Sequence, residues 1–133
     1  MTTRLLLVDD HAVVRSGLRM LLENEHEIEI VGEAGNAAEA IEAATRLKPN
    51  LILMDIGLPD LSGIDATREI KKRLPEVSIV ALTIHEDEEY FFKMLEAGAS
   101  GYVPKRAAPE ELLTAIRAAA KGEAAPIRAA PVA

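Results

Sequence analysis

The sequence predicts an α/β protein in which five parallel strands form one sheet with helices on both faces. Short apolar runs alternate with longer segments in which apolar residues recur every three or four positions. Pro, Asn or Gly stands at most of the boundaries between the two kinds of segment. Acidic residues follow two of the apolar runs directly. In this fold class ligands bind outside the carboxyl ends of the strands, so the residues after the strands are the site candidates.

The five predicted strands are short runs rich in Val, Ile and Leu. Most are apolar at consecutive positions, which is typical of strands buried on both faces. They lie near residues 4–8, 28–34, 51–54, 77–82 and 101–103.

The segments between and after these runs are predicted helices, because each carries an apolar stripe with the i, i+3, i+4, i+7 spacing. The stripes are Val14, Leu18, Leu21 and Leu22; Ala40, Ile41, Ala44 and Leu47; Ile64, Thr67, Ile70 and Leu74; Phe91, Met94 and Leu95; and Leu112, Leu113, Ile116 and Ala120. Pro49 and Asn50 are predicted to end the second helix and Pro75 to follow the third. Gly98 should end the fourth helix, and Pro109 suits the first turn of the fifth. Five βα units with right-handed crossovers are therefore expected.

The amino-acid composition argues against several classes of structure and function. The 133 residues suffice for one domain with a real core, and a hydrophobic content of 49% argues against disorder over most of the length. The chain has no Cys, which excludes disulfides and thiolate metal sites. No apolar stretch approaches the roughly 18 residues of a membrane helix and no signal peptide is recognisable, so a soluble cytoplasmic protein without a membrane partner is expected. The net charge of −7 argues against nucleic-acid binding by this chain.

Three aspartates form the candidate site. Asp9 and Asp10 close the apolar run Leu5–Val8, and Asp55 closes the run Leu51–Met54. Because the ends of these strands meet at one edge of the sheet, the carboxylates should converge there and bind a hard cation such as Mg²⁺. An Asp pair after a strand also occurs as a helix N-cap, which is the alternative interpretation of Asp9 and Asp10.

Further polar groups are expected at the same edge. The fourth strand ends at Thr83, and Lys105 follows the fifth strand, which contains Tyr102. A cation and a lysine can neutralise a phosphoryl group during transfer, and a hydroxyl can bind one of its oxygens afterwards. Asp55 is best placed as the nucleophile, because a carboxylate can form an acyl phosphate. Tyr102 has the simpler alternative of a half-buried strand aromatic.

Two histidines lie in or near the predicted site, and the sequence places neither among the metal ligands. His11 and His85 are interpreted as solvated or capping residues, since hard cations prefer oxygen.

Several segments together resemble the receiver domain of two-component response regulators over about residues 3–121. They are Leu7-Val8-Asp9-Asp10-His11, Asp55-Ile56-Gly57-Leu58-Pro59 with Gly63, Ala81-Leu82-Thr83, and Gly101-Tyr102-Val103-Pro104-Lys105. His11 with Arg15, Gly17 and Leu18, together with Val31-Gly32-Glu33-Ala34, is similar to the NarL/FixJ type. The resemblance implies a flavodoxin-like doubly wound sheet with strand order 2-1-3-4-5.

The resemblance also implies roles for individual residues. Asp55 would be the phosphoacceptor, and Asp10, Asp55 and the Gly57 carbonyl would bind Mg²⁺ directly, with Asp9 assisting through a water. Thr83 and Tyr102 would form a switch pair, and Lys105 would bind the phosphoryl group. Where many receivers have Pro after this lysine, the chain has Arg106.

The expected partner is a sensor histidine kinase, and phosphorylation is expected to favour pairing with a second copy of the chain. NarL/FixJ proteins usually carry a C-terminal LuxR-type helix-turn-helix that regulates transcription. In this chain residues 1–121 are predicted to form the receiver domain, and the Ala- and Pro-rich residues 122–133 a linker or disordered tail without an output domain.

Two other functions are left open. A Mg²⁺-dependent phosphohydrolase of the haloacid-dehalogenase kind also uses a strand-end Asp, but it needs a second Asp two residues later, where this chain has Gly57. The other is a degenerate receiver that acts only as a phosphorylation-independent interaction module. The presence of every polar site residue argues against it.

Overall fold

The computed structural model describes residues 2–84 and 88–122. Five strands alternate with five helices along this part of the chain. Their order is β1 (Thr3–Val8), α1 (Ala12–Glu23), β2 (Ile28–Ala34), α2 (Ala37–Leu47), β3 (Leu51–Asp55), α3 (Gly63–Arg73), β4 (Ser78–Thr83), α4 (Glu88–Ala97), β5 (Gly101–Pro104) and α5 (Pro109–Ala120). All ten predicted elements are confirmed. The predicted linker begins at the end of α5 and, beyond Gly122, lies outside the described residues.

The strands form one parallel sheet with the order β2-β1-β3-β4-β5, as predicted. The chain runs outward from β1 to β2 and then returns past β1 to β3, so the direction of winding reverses between β1 and β3. In register, Val8 pairs with Met54 and Asp55 with Leu82, which aligns the carboxyl ends of three neighbouring strands. The candidate acids therefore lie at the point where this fold class binds ligands.

Each face of the sheet packs against its own set of helices. Alternate strand residues such as Leu6, Ile52 and Ile79 contact α2, α3 and α4. The intervening residues, such as Leu7 and Leu53, contact α1 and α5. The central strands β3 and β4 are buried along almost their whole length, which explains why their sequences are continuously apolar rather than alternating. None of the helices in the described ranges is long and apolar enough to cross a membrane.

Both ends of α2 are closed by side chains from distant parts of the chain. At the N-terminus, the Asn36 side chain accepts the N–H of Glu39, and the carboxylate of Asp60 accepts the N–H groups of Ala37 (2.8 Å) and Ala38 (3.0 Å). These hydrogen bonds lower the pKa of Asp60. The loop after β3 is thereby attached to the start of α2 through groups that would otherwise lack a partner.

The C-terminus of α2 is closed by a left-handed residue and a basic side chain from β1. Lys48 has φ 49°, and the Arg4 guanidinium donates to the carbonyls of Leu47 (2.9 Å) and Lys48 (2.8 Å). Pro49 and Asn50 follow immediately, as the sequence predicted.

Gly63 begins α3 where the helix approaches the end of β3 most closely. Its N–H donates to the Ile56 carbonyl (2.8 Å). A Cβ atom built at Gly63 would lie 2.2 Å from the Asp55 carbonyl oxygen and 2.7 Å from the Cα of Ile56. The obstructing atoms belong to the backbone that carries the central acid of the site, so a side chain here requires this segment to shift.

We expect Gly63→Ala to destabilise the fold by roughly 1–3 kcal/mol, the usual cost of forcing extra atoms into a packed region. Gly17→Ala is the matched control, since a Cβ at Gly17, in the middle of α1, meets no atom of residues 2–84 and 88–122 within 4 Å. Gly17→Ala should leave the free energy of unfolding unchanged or raise it by up to about 1 kcal/mol, because Ala favours the helix. Urea unfolding of both variants measures the difference, and equal stabilities would show that the close approach at Gly63 is not limiting.

Candidate functional site

The ends of β1 and β3 bring the three predicted aspartates together. Asp9 and Asp55 are almost completely buried, with 1% and 3% of their surfaces exposed, whereas the Asp10 side chain is 25% exposed. One potential ligand atom from each of Asp9, Asp10, His11 and Asp55 can be chosen so that all four lie within 4.8 Å of one another. The three carboxylates therefore converge at one edge of the sheet, as the positions of the strand ends predicted.

The backbone of Asp9 is held on both sides. Its N–H donates to the Ala34 carbonyl of β2 (3.0 Å), and its own carbonyl accepts a short hydrogen bond from the Arg15 guanidinium. Its Oδ1 accepts the N–H of His11 (2.8 Å). Helix α1 begins at Ala12 with His11 as its N-cap and without a side-chain capping bond. The capping interpretation of the Asp pair is therefore not supported.

Asp55 and Lys105 form the central charge pair of the pocket. Asp55 Oδ1 accepts the N–H of Gly57 (3.0 Å), while Oδ2 lies 3.4 Å from Lys105 Nζ. The same ammonium lies 2.9 Å from Asp9 Oδ2. The backbone N–H of Lys105 donates to the Thr83 carbonyl (2.7 Å), which fixes the lysine against the end of β4.

Burial and neighbouring charges shift the pKa of both partners. Desolvation raises the pKa of Asp55 and the nearby Asp9 charge adds to the rise, although the Gly57 N–H and Lys105 oppose it. Burial alone would lower the pKa of Lys105, but its contacts with Asp9 and Asp55 outweigh this effect and raise it. The ammonium is therefore held in its charged form between two carboxylates.

The acids retain oxygens that suit a hard cation. Asp9 Oδ2, Asp10 Oδ1 and Asp55 Oδ2 are buried and accept no hydrogen bond within the described parts of the chain, although Lys105 or His11 makes an ion-pair contact with each. A carboxylate oxygen has two lone pairs, so one ion-pair contact leaves each of these oxygens able to accept a further partner. An oxygen-ligated divalent cation fits this donor set.

Thr83 and Tyr102 lie on the two strands beyond β3 and are both buried, each with 1% of its surface exposed. The Tyr102 ring meets the edge of Phe91 in α4, with ring centroids 5.5 Å apart and an interplanar angle of 88°. Tyr102 is thus fully buried rather than half-buried. Its packing joins β5 to α4.

His11 lies beside the acids. Its Nδ1 is 3.2 Å from Asp9 Oδ1 and 3.1 Å from Asp10 Oδ1, and its side chain is 64% exposed. The interpretation of His11 as a solvated or capping residue agrees with its exposure and its N-cap position, but it did not include the contacts with Asp9 and Asp10, for which the position directly after the Asp pair was a signal. The prediction for His85 falls on a segment, 85–87, outside the described residues.

Sequence reasoning also missed an ionic cluster beside the β1–α1 loop. Glu33 at the end of β2 binds two arginines of α1, with 3.1 Å from its Oε1 to Arg15 Nε and 2.6 Å from its Oε2 to Arg19 Nε. Arg19 also pairs with Glu23 (3.1 Å). The hydrogen bond from Arg19 and the charge of both arginines lower the pKa of Glu33. The partners are 14 and 18 residues apart, beyond any local pattern.

The sheet order and the acid pocket at its carboxyl edge define a flavodoxin-like α/β domain. The family model of the response regulator receiver domain matches residues 5–117, and the chain belongs to this family, in its NarL/FixJ branch.

Two curated relatives show the same relationship. An uncharacterized transcriptional regulatory protein, YxjL of Bacillus subtilis (strain 168), is 46% identical over 121 residues. The oxygen regulatory protein NreC of Staphylococcus aureus (strain JH9) is 43% identical over 121 residues. The matches cover 91% and 90% of this chain but 56% of each relative. The chain thus spans about half the length of the curated relatives that it matches.

Solved structures agree with this assignment. A LuxR-family two-component response regulator from Aurantimonas sp. SI85-9A1 is 40% identical with a TM-score of 0.91, covering 98% of this chain and 91% of that one. The isolated REC domain of RcsB from Salmonella enterica serovar Typhimurium, solved with the phosphomimetic BeF3−, is 28% identical with a TM-score of 0.86. That match covers 93% of this chain and 92% of the RcsB chain.

We expect Asp55→Asn and Asp10→Ala to raise the melting temperature in EDTA at neutral pH, because each removes one of three crowded negative charges. The folded-state pKa of Asp55 is raised, so its carboxyl group favours folding at low pH and this contribution is lost as the pH rises through that pKa. The increase in melting temperature caused by Asp55→Asn should therefore become smaller as the pH falls.

The control for these melts is Glu96→Gln, which removes one negative charge from an exposed position of α4. Added Mg²⁺ should stabilise the wild type more than either site variant, since binding to the folded state stabilises by mass action. If both site variants melt at a lower temperature than the wild type in EDTA, the crowding of the carboxylates does not destabilise the fold.

Proposed function

We propose that this chain is a phosphorylation-controlled signalling switch that accepts a phosphoryl group on Asp55 from a sensor histidine kinase in a Mg²⁺-dependent reaction. The observation that carries the proposal is the buried Asp55 carboxylate, which lies beside the Lys105 ammonium and close to the carboxylates of Asp9 and Asp10. Family membership supports a signalling domain rather than a classical enzyme.

In the proposed reaction an oxygen of Asp55 attacks the phosphorus of the donor. A new P–O bond forms, and the bond from phosphorus to the leaving group breaks with its electron pair going to the leaving group. Asp55 is suited to this step because the Gly57 N–H holds one of its oxygens in place. The product is an acyl phosphate, the form that a carboxylate nucleophile gives.

Asp10, Asp55 and the Gly57 carbonyl would hold Mg²⁺ directly, with Asp9 assisting through a water. When bound, the cation would supply positive charge against the phosphoryl oxygens and the acids. Lys105 would contact the phosphoryl group, a role supported by its short distances to Asp9 and Asp55. The Thr83 hydroxyl would bind a phosphoryl oxygen after transfer.

Residues 1–121 would form the receiver domain, and residues 122–133 a linker or disordered tail. The relative from Bacillus subtilis, whose name is that of a transcriptional regulatory protein, supports a role in transcription regulation. One related solved structure contains two RcsB dimers bound to two parallel DNAs. We propose that this chain likewise pairs with a second copy on phosphorylation but contacts no DNA itself, in keeping with its net charge of −7.

Incubation with labelled acetyl phosphate and Mg²⁺ should label the wild-type chain and leave Asp55→Asn unlabelled, because the amide keeps the shape but is not a nucleophile. Asp65→Asn, at an exposed acid of α3, is the control that should label normally. Mass spectrometry of the intact chain measures incorporation. Persistent labelling of Asp55→Asn would refute the acceptor, absence of labelling in the wild type would indicate a degenerate receiver, and catalytic turnover of phosphoesters would indicate a phosphohydrolase.

Thr83→Ala should retain phosphorylation of Asp55 but lose its effect on α4, since the hydroxyl that would bind the phosphoryl oxygen is gone. Tyr102 already packs against Phe91 of α4, so phosphorylation is expected to stabilise this packing rather than create it. NMR shifts of α4 amides on phosphorylation provide the measurement, and Thr83→Ser, which keeps the hydroxyl, is the control. Wild-type shifts in Thr83→Ala would contradict the switch.

Gly57→Leu should slow loss of the phosphoryl group on the order of tenfold, which corresponds to about 1.4 kcal/mol of barrier. Among the described residues, a Cβ at Gly57 would meet only Asp55 Oδ1, at 3.9 Å, so these residues leave space for a side chain that would obstruct water near the acyl phosphate. Gly57→Ala, which adds a single methyl group, should have a smaller effect. If Gly57→Leu still binds Mg²⁺ but loses the phosphoryl group at the wild-type rate, access of water does not determine that rate.

A further inference from the structure

We propose that Arg15 is a positioning residue for the metal site, because it fixes the peptide plane between Asp9 and Asp10 against β2. This inference rests on the proposed function, since it concerns the same Mg²⁺ site. It assigns a role to a side chain that lies outside the pocket of acids and would touch neither Mg²⁺ nor the phosphoryl group.

The contact of Arg15 is with the backbone rather than with a carboxylate. Its Nη1 donates to the Asp9 carbonyl, which belongs to the peptide group that joins Asp9 to Asp10. The orientation of that peptide group determines the direction in which the two side chains leave the chain. Holding this one carbonyl therefore sets the relative positions of the Asp9 and Asp10 carboxylates.

Arg15 is itself held from the opposite side. Its Nε donates to Glu33 Oε1 (3.1 Å), and the Arg15 side chain is 23% exposed. A guanidinium has donors on both edges of a rigid plane, so it can bridge a carbonyl and a carboxylate at once. Glu33 precedes Ala34, whose carbonyl accepts the Asp9 N–H (3.0 Å). The last two residues of β2 therefore fix both sides of Asp9, one directly and the other through Arg15.

Geometry and charge predict opposite effects of removing Arg15. A positive charge near the acids repels Mg²⁺, so its removal would strengthen Mg²⁺ binding if charge dominated. Loss of the bridge would free the Asp9–Asp10 peptide and weaken binding, because the two carboxylates would have to be ordered by the cation. The direction of the change in affinity therefore separates the two explanations.

Arg19 provides a matched control. It donates to the other oxygen of the same Glu33 and to Glu23, and not, among the contacts in the described residues, to Asp9 or Asp10. Arg19→Gln therefore removes the same charge and one Glu33 ion pair while leaving the bridge to Asp9. Any effect that comes only from the net charge or the stability of the cluster should appear in both variants.

Mg²⁺ affinity is measured by calorimetry for wild type, Arg15→Gln, Arg15→Lys and Arg19→Gln, together with their melting temperatures. We expect Arg15→Gln to weaken binding about tenfold, as for other groups that orient metal ligands, whereas Arg19→Gln should stay within roughly twofold of wild type. Arg15→Lys keeps the charge but not the two-sided bridge, so it should also weaken binding. Equal or tighter Mg²⁺ binding in Arg15→Gln than in Arg19→Gln, or wild-type affinity in Arg15→Lys, would overturn the proposal.

A second measurement does not depend on the metal. In Mg²⁺-free protein the amide resonance of Asp10, which belongs to the held peptide group, should shift or broaden in Arg15→Gln and remain in place in Arg19→Gln. An unchanged Asp10 resonance in Arg15→Gln would overturn the positioning role. If the wild type fails to bind Mg²⁺ while the Asp10 resonance responds to Arg15→Gln, the proposed metal site is wrong and the positioning of this peptide by Arg15 stands.

Discussion

The constraint on which the site depends is the confinement of three carboxylates at the reversal point of a parallel sheet. Two like charges about 4 Å apart repel by about 1 kcal/mol in bulk water and about 4 kcal/mol at an effective dielectric near 20. The fold keeps Asp9 and Asp55 buried all the same, with Lys105 between them and the N–H groups of His11 and Gly57 on their Oδ1 atoms. This partial compensation leaves acid oxygens for a cation to satisfy.

Much of this arrangement could be predicted because it depends on local patterns. Strands β3 and β4 are continuously apolar since both of their faces are covered, and the helices show their stripes because one side packs on the sheet. In a parallel sheet every strand points the same way, so the residues that follow β1 and β3 must meet at one edge. Strand boundaries alone therefore located Asp9, Asp10 and Asp55.

The contacts that hold the site in place could not be predicted, because their partners are far apart in sequence. Asp60 closes the start of α2 from 23 residues away, and Arg4 closes its end from 44. Arg15 of α1 reaches Glu33 near the end of β2, and no periodicity indicates which of many surface acids a basic side chain will contact. The need for glycine at Gly63 is likewise visible only once α3 is packed against the end of β3.

These long-range contacts hold the side of the pocket that β1 and β3 form. On this side Arg15 holds the Asp9 carbonyl, and Asp60 attaches the loop after β3 to α2. The N–H of Gly63 binds the Ile56 carbonyl, directly after β3. On the side of β4, Thr83 is buried at the end of the strand, and Tyr102 of β5 packs against Phe91 of α4. A structural change at Asp55 would therefore meet elements on the β1 and β3 side that these contacts hold in place. We infer that the change is transmitted on the β4 side, through Thr83 and the contact of Tyr102 with Phe91, which joins β5 to α4.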